Sequence, residues 1–236
     1  MAHLNGAQRA AYVRDLFTRI AGRYDLMNRL MTFGQDGRWR ARVLELAALG
    51  PGRVLLDLGT GTGDLALAAL ERIPGLCVVA GDFTLAMMRV GRRRRGGSRP
   101  YWLGADALSL PFPEATFDAV VSAYLMRNVT DIDRAWAEQW RVLKPGGRVV
   151  CLDTTPPPRN RLRPVIHFHL HTVIPVMGRL LTGQADAYTY LPDSTESFLT
   201  AEALAARMQA AGFVSVRVER WMLGTMAIHS GQKPAD

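Results

Sequence analysis

Residues 57–64 read Asp-Leu-Gly-Thr-Gly-Thr-Gly-Asp, so glycines alternate with threonines between two carboxylates. A turn of this kind between a strand and a helix lets a ligand approach the main chain closely and places the helix N–H groups beneath it. A bare tight turn would use the same glycines. Asp64 stands where a nicotinamide fingerprint requires glycine, whereas Asp57 precedes Gly59 and Gly61 from inside the strand end. Asp82 closes the next apolar run, where a carboxylate can accept both hydroxyls of a ribose. Asp153 ends a later apolar run and falls at a strand's carboxyl end, where ligands collect in open α/β sheets. The run His-Phe-His-Leu-His supplies His167, His169 and His171. All three share a face on a strand, but only His167 and His171 do on a helix. A metal needs a further ligand that the sequence does not locate, so no metal is expected and the histidines read as pocket lining or a base near neutral pH.

These residues need a scaffold, and the hydrophobic pattern predicts one. Residues 7–48 read as helices, with Val13, Leu16, Phe17 and Ile20 on one face. Strands are then predicted at RVLLDLG, LCVVAGD, YWLGAD, TFDAVVSA and GRVVCLD, separated by helices over 64–72, 84–94 and 131–143. Strands alternating with helices imply right-handed crossovers and a parallel sheet covered on both faces. After the proline-rich TTPPPRNRLRP come about 45 residues of mixed signal, then a helix over 201–211. FVSVRVER and LGTMAIHSG lie too close for another crossover and read as an antiparallel hairpin at the sheet edge. The expected division is 1–50 as a helical cover, 51–153 as the core, 154–200 as an insertion forming a lid, and 201–236 completing the core.

The 236 residues are 48% hydrophobic, ample for one core. No apolar run approaches the roughly 18 residues of a spanning helix and no signal peptide is evident, so a cytoplasmic protein is expected. Cys77 and Cys151 lie inside predicted strands and read as buried thiols. The formal charge is +8, and Lys144 and Lys233 are the only lysines, so the basic side is almost wholly arginine. Such a balance favours polyanions, either acidic lipid or nucleic acid. Its sharpest cluster, Arg92 to Arg95 with Arg99, reads otherwise as a solvated helix end. Aromatic residues do not interleave with these arginines, which argues against nucleic acid.

LDLGTGTGDL, GDF, GADALSLPFPEATFD and RVLKPGG resemble the motifs of class I S-adenosylmethionine-dependent methyltransferases. More narrowly, FTRIAGRYDLMNRLMTFGQDGRW, LMRNVTD, DAYTYLPDSTESF and MAIHSGQK resemble the ubiquinone/menaquinone biosynthesis C-methyltransferases, from about residue 12 to 233. The resemblance implies a Rossmann-like class I methyltransferase fold: a mostly parallel sheet with an antiparallel C-terminal edge hairpin and N-terminal helices. It also implies S-adenosylmethionine as cofactor, held by Asp57, Gly59, Gly61, Thr62, Asp82, Phe83, Asp106, Ala107 and Ser122. Thr62 matches the loop threonine, Asp82 the ribose acid, Asp106 and Ala107 the pair after the third strand, and Ser122 the serine facing the methionine end. The chain departs from the family pattern at Tyr124-Leu125-Met126, at Asp153-Thr154-Thr155 and at the histidine run, all around the expected acceptor pocket.

The implied reaction carries a methyl to a ring carbon of a polyprenylated quinol, with demethylmenaquinol preferred and a soluble phenolic acceptor as the alternative. Alignment of donor and nucleophile is then the main task, and some group must favour a phenolate and remove the ring proton. Arg127, Asn128, Asp153 and Tyr24 are the candidates. Arg127 would stabilise the phenolate, unless it is salt-bridged to Asp131 or Asp133; Asn128 would hold a quinol oxygen and Tyr24 would cover the cofactor. A lipid-soluble quinol implies peripheral contact with the anionic inner face of the membrane. Homodimerisation stays open.

Overall fold

The computed structural model describes residues 6–158, 161, 163–182 and 185–235, without the side chains of 180–182, 185–189 and 191. Three helices lead in: α1 (Gly6–Ile20), α2 (Tyr24–Met31) and α3 (Asp36–Ala47). Alternation follows with β1 (Val54–Leu58), α4 (Asp64–Arg72), β2 (Cys77–Asp82), α5 (Leu85–Arg92), β3 (Tyr101–Gly104), β4 (Phe117–Ala123), α6 (Ile132–Val142) and β5 (Leu143–Thr154). A helical arm comes next: α7 (Arg163–Phe168), a π-helical turn (His169–Val173), α8 (Ile174–Thr182) and α9 (Ala185–Glu196). The chain ends with α10 (Ala201–Ala210), β6 (Val214–Trp221) and β7 (Met226–Gln232).

The seven strands lie in the order β3-β2-β1-β4-β5-β7-β6. Pairs among β1 to β5 are parallel, and β7 runs antiparallel to both neighbours. The hairpin is therefore at the edge, as the close spacing of its strands requires, but its second strand is interior: β7 pairs with β5 from Arg148↔Gln232 to Thr154↔Met226. Alternation along β1 sends Leu55 into one core with Trp39, Val43 and Ala66, and sends Leu56 and Leu58 into the other with Trp136, Leu204 and Met208. A third, smaller cluster joins α1, α2, α8 and α9 through Leu16, Ile20, Met27, Ile174 and Tyr190.

Besides shifts of one or two residues at the ends of α5 and β3, the structure departs from the sequence reading in two places. The sixth helix stops at Val142, because Leu143 is already paired with Phe117 and the Lys-Pro-Gly-Gly turn is taken into β5. The segment of mixed signal is helical, its periodicity blurred by the π-turn and by Pro192 inside α9. Local chemistry fixes other ends. Asp131 caps α6 by accepting from Arg134 N at 2.9 Å, and Thr200 caps α10 by accepting from Ala203 N at 3.2 Å. Cys77 begins β2 and Cys151 is buried in β5; both are free thiols.

Candidate active site

The glycine loop is held from beneath. Gly59 N and Thr60 N donate to Gly81 O at 2.8 and 3.0 Å, joining the ends of β1 and β2. Asp57 is buried at the end of β1, and its Oδ2 accepts from Thr60 Oγ1 at 2.6 Å and from Ala66 N at 3.0 Å. Burial pushes its carboxyl up to about 7, against those two hydrogen bonds. All three loop glycines have positive φ, and a Cβ on Gly63 would lie 2.5 Å from the Trp102 ring. A Cβ on Gly59 would meet Leu125 at 3.0 Å. The glycines thus answer to backbone conformation and to protein neighbours.

Asp82 links the loop to the next helix. One oxygen accepts from Gly61 N at 2.7 Å and the other from Thr84 N at 2.6 Å. Burial raises its carboxyl above the ordinary range, opposed by those bonds.

Above the carboxyl ends of the strands opens a cleft of about 870 Å³, counting the solvent-open space at its mouth. Gly59, Gly61, Asp82, Phe83, Asp106 and Ala107 line one side. Asp106 Oδ1 accepts from Leu108 N at 2.9 Å. The facing wall is apolar: Ala10, Val13 and Phe17 of α1, with Leu125 and Val129. Tyr24 closes one end and Asn128 borders the wall. A smaller cavity of about 320 Å³ adjoins it, sharing Tyr24, Gly59, Gly61, Ala123 and Tyr124 and adding Arg40, Asp57, Thr62 and Asp64.

Ser122, Thr62, Asp153 and Arg127 lie off the main cleft. Ser122 is fully buried in β4, in register with Cys151 and beside its thiol. Thr62 faces α2, where its hydroxyl is 2.6 Å from Asp25 Oδ1. Asp153 is fully buried behind Arg127, whose Nε is 3.6 Å from Asp153 Oδ1 and whose N donates to Oδ2 at 3.1 Å. Burial raises the Asp153 carboxyl, opposed by the Arg127 charge. Arg127 does not pair with Asp131, which caps α6, nor with Asp133, which pairs with Arg207. Its Nη1 reaches Thr154 and Thr195 Oγ1 at 3.4 and 3.3 Å, and its guanidinium lies 5.4 Å from the Tyr124 ring centre. Both ends of the Asn128 amide are engaged: Nδ2 donates to Tyr124 O at 2.8 Å, and Oδ1 accepts from Tyr190 Oη at 3.0 Å.

Sequence reasoning missed the residues that tie the cover to the loop. Arg94 lies 2.5 Å from Asp64 and 3.3 Å from Asp25, and donates to Thr62 O at 3.0 Å. It therefore does not belong with the exposed Arg92, Arg93 and Arg95, and the basic cluster is smaller than its sequence implies. Arg40 lies 2.5 Å from Asp64 and 2.7 Å from Asp36. Tyr190 bridges Asn128 to a third, outer cavity that Arg127 also lines. Its only sequence signal is its place in the DAYTYLPDSTESF motif, several side chains of which fall outside the described set. The histidine run is helical; the His167 and His171 rings stack at 4.2 Å, and His171 Nε2 is 2.9 Å from Glu196 Oε1. These three side chains do not line any of the described cavities; their donor atoms lie within 4.8 Å of one another, so Glu196 is the third group that the sequence did not locate.

A sheet in this order, with a glycine loop after β1 and acids at the ends of β2 and β3, is the fold of the class I S-adenosylmethionine-dependent methyltransferases. Two solved structures share the fold. They are phosphoethanolamine N-methyltransferase 2 of Haemonchus contortus in complex with S-adenosyl-L-methionine (TM-score 0.64, 16% identity, 84% of this chain and 52% of that one) and the [4+2]-cyclase SpnF (TM-score 0.65, 21% identity, 85% and 81%). The chain belongs to the ubiE/COQ5 methyltransferase family, whose profile it matches over residues 5–233. It is 48% identical over 222 residues to the ubiquinone/menaquinone biosynthesis C-methyltransferase UbiE of Desulfotalea psychrophila, spanning 94% of this chain and 90% of that protein. It is also 48% identical over 221 residues to the demethylmenaquinone methyltransferase of Thermus thermophilus, spanning 93% and 100%.

Proposed function

We propose that the protein methylates a ring carbon of a polyprenylated quinol, with demethylmenaquinol as acceptor. The observation that carries this reading is the two-sided cleft, polar and glycine-lined toward the sheet and apolar toward α1. When bound, S-adenosylmethionine supplies an electrophilic methyl group on a sulfonium. The residues present fit that cofactor: Asp82 is a half-buried carboxylate that accepts from Gly61 N, Thr84 N and the Thr84 hydroxyl and keeps lone pairs for a ribose diol. Asp106 would accept from the adenine amino group, with Phe83 and Ala107 against the base. Gly59 and Gly61, whose N–H groups are already bonded to Gly81 O and Asp82 Oδ2, present main-chain surface to the cleft, and Arg40 and Asp64 of the adjoining cavity would hold the amino-acid end. Tyr24 lines both cavities and closes the site against water.

On the acceptor side, the Tyr190–Asn128 pair is where a quinol oxygen docks, exchanging one existing hydrogen bond. Arg127 sets a fixed positive charge behind the Tyr124 ring, which favours a phenolate at that wall. Asp153 holds Arg127 in place, and its seclusion leaves removal of the ring proton to a water that the Arg127 field orients. In this scheme residues 1–50 and 154–200 cover a core of 51–153 that 201–236 completes. Thr62 and Ser122 shape the loop and the strand beneath the cofactor. The protein works in the cytoplasm and meets its substrate at the inner face of the cell membrane.

The test is methyl transfer from labelled S-adenosylmethionine to a short-tailed demethylmenaquinol and, separately, to soluble phenols, with products identified by mass. Ring-methylated quinol is expected. Transfer to the phenols alone would establish the soluble-acceptor alternative.

A further inference from the structure

Two exposed apolar stripes lie on the cover. On α2, Leu26 and Leu30 point away from the buried Met27 and Asn28, and Phe33 follows one turn later, 71% exposed. Phe33 has φ +52°, a left-handed conformation that costs a bulky side chain free energy and here turns the ring outward. On the arm, Val165, Phe168 (60% exposed) and Val176 recur at helical spacing. The stripes are continuous, because the Phe33 ring stacks on His169 at 5.4 Å. Behind them, Met27 and Ile174 share one buried cluster, so α2 and the arm form a single packed layer.

The charge carried by the two segments of this face is predominantly positive. Residues 154–185 hold four arginines and no Asp or Glu, and residues 26–35 hold none either; the next acid, Asp36, is buried. Arg29, Arg38, Arg161, Arg163 and Arg179 are exposed. Exposed apolar side chains gathered on one face and rimmed by polar residues mark an interaction site. An arginine-rich rim, with Glu196 paired to His171 at its edge, around exposed apolar side chains matches an anionic bilayer surface.

We propose that the Leu26–Leu30–Phe33 and Val165–Phe168–Val176 stripes are the face by which the protein docks on anionic membranes, in place of the Arg92–Arg95 cluster. The proposal rests on the quinol reading, because α1 and Tyr24, which wall the cleft, belong to the same layer; a quinol rising from the bilayer meets the cleft through it.

The experiment is flotation of the full chain with vesicles of phosphatidylcholine alone or with roughly 30% phosphatidylglycerol. Native protein is expected to float with the anionic vesicles. The double variant Phe33→Ser/Phe168→Ser, with an unchanged circular dichroism spectrum, is expected to lose at least about tenfold in partition. The triple variant Arg92→Gln/Arg93→Gln/Arg95→Gln is expected to float like native protein. A Phe168→Trp variant gives a second reading, a blue-shifted emission on binding anionic vesicles. Flotation of the double serine variant at the native level, loss of flotation in the arginine variant alone, or native protein that stays unbound would each overturn the docking face. Turnover of a short-tailed quinol in vesicle-free buffer separates this from the functional reading. Methylation without flotation discards the face and keeps the function. Flotation that the serine variant abolishes, without methylation of any quinol, keeps the face and discards the function.

Discussion

Arg127 and Asp153 were each legible as functional candidates, but not as partners, because 26 residues separate them and only the packing of β4 against β5 brings them together. The pairing changes how Arg127 must be tested. Removing one member of a buried pair costs about 3–5 kcal/mol, largely because the other charge is left uncompensated. Arg127→Met should therefore lower stability whatever its chemical role, and Arg127→Met/Asp153→Asn should recover more than half of the loss in a denaturant titration. If Arg127 favours a phenolate, the double variant binds S-adenosylmethionine normally and still turns over at least about a hundredfold slower. A native rate in the restabilised variant would reduce Arg127 to a structural role. Asp57 makes a separate prediction. Its folded carboxyl titrates near 7 against an unfolded value of 3.8, so between those values the unfolded chain releases a proton that the folded one keeps. The contribution of this group to stability therefore falls as pH rises from about 4 to about 7 and is flat above. Asp57→Asn removes that slope. Its stability relative to native protein should improve by up to about 4 kcal/mol across the window, and parallel pH curves would contradict the buried-acid assignment. Thr62 was legible only as a loop hydroxyl, since its partner Asp25 comes from a helix 37 residues away.

Among the elements, strands were the most legible, since VLLDL and CVVAGD are short apolar runs bounded by glycine, proline or acid. The hairpin was legible from spacing. The interior place of β7 was not, because nothing local distinguishes pairing with β5 from lying outside β6. The arm was the least legible: its helices pack on α1 and α2, so their apolar positions answer to partners distant in sequence. The same blindness affected the basic run. Four consecutive arginines read as one patch, yet Arg94 turns back to join α5 to Asp25 of α2 and Asp64 of α4. Substituting all four by glutamine should therefore weaken cofactor binding, whereas Arg92→Gln/Arg93→Gln/Arg95→Gln should not. Arg94→Gln alone is expected to raise the S-adenosylmethionine dissociation constant about five- to fiftyfold, the equivalent of losing one or two charge-assisted hydrogen bonds, by isothermal titration. Equal affinities for Arg94→Gln and native protein would show that α2 stays seated without this link.

At the scale of the molecule, the two faces of the sheet and the cover differ in how much they bury. The sheet is sandwiched between two extended cores anchored by Trp39 and Trp136, whereas the cover closes, among the described residues, on five buried side chains around Leu16 and Ile174. Opening free energies within one protein range from near zero to the global value, and segments with few buried apolar contacts open first. The cover should accordingly exchange as a unit of lower stability than the sheet. That difference serves the proposed reaction, since the cofactor and a membrane-soluble acceptor must both enter a cleft roofed by α1 and Tyr24. Hydrogen exchange read by mass spectrometry is expected to show amides of Gly6–Met31 and Arg163–Thr182 exchanging at least about a hundredfold faster than those of β1, β4 and β5. Adding S-adenosylhomocysteine should slow Gly6–Met31 by about tenfold or more, because ligand bound beneath Tyr24 stabilises the closed cover by mass action. The central strands should barely change. Cover and sheet exchanging together would mean one cooperative unit, and protection confined to the glycine loop would mean that α1 and α2 do not close over the cofactor.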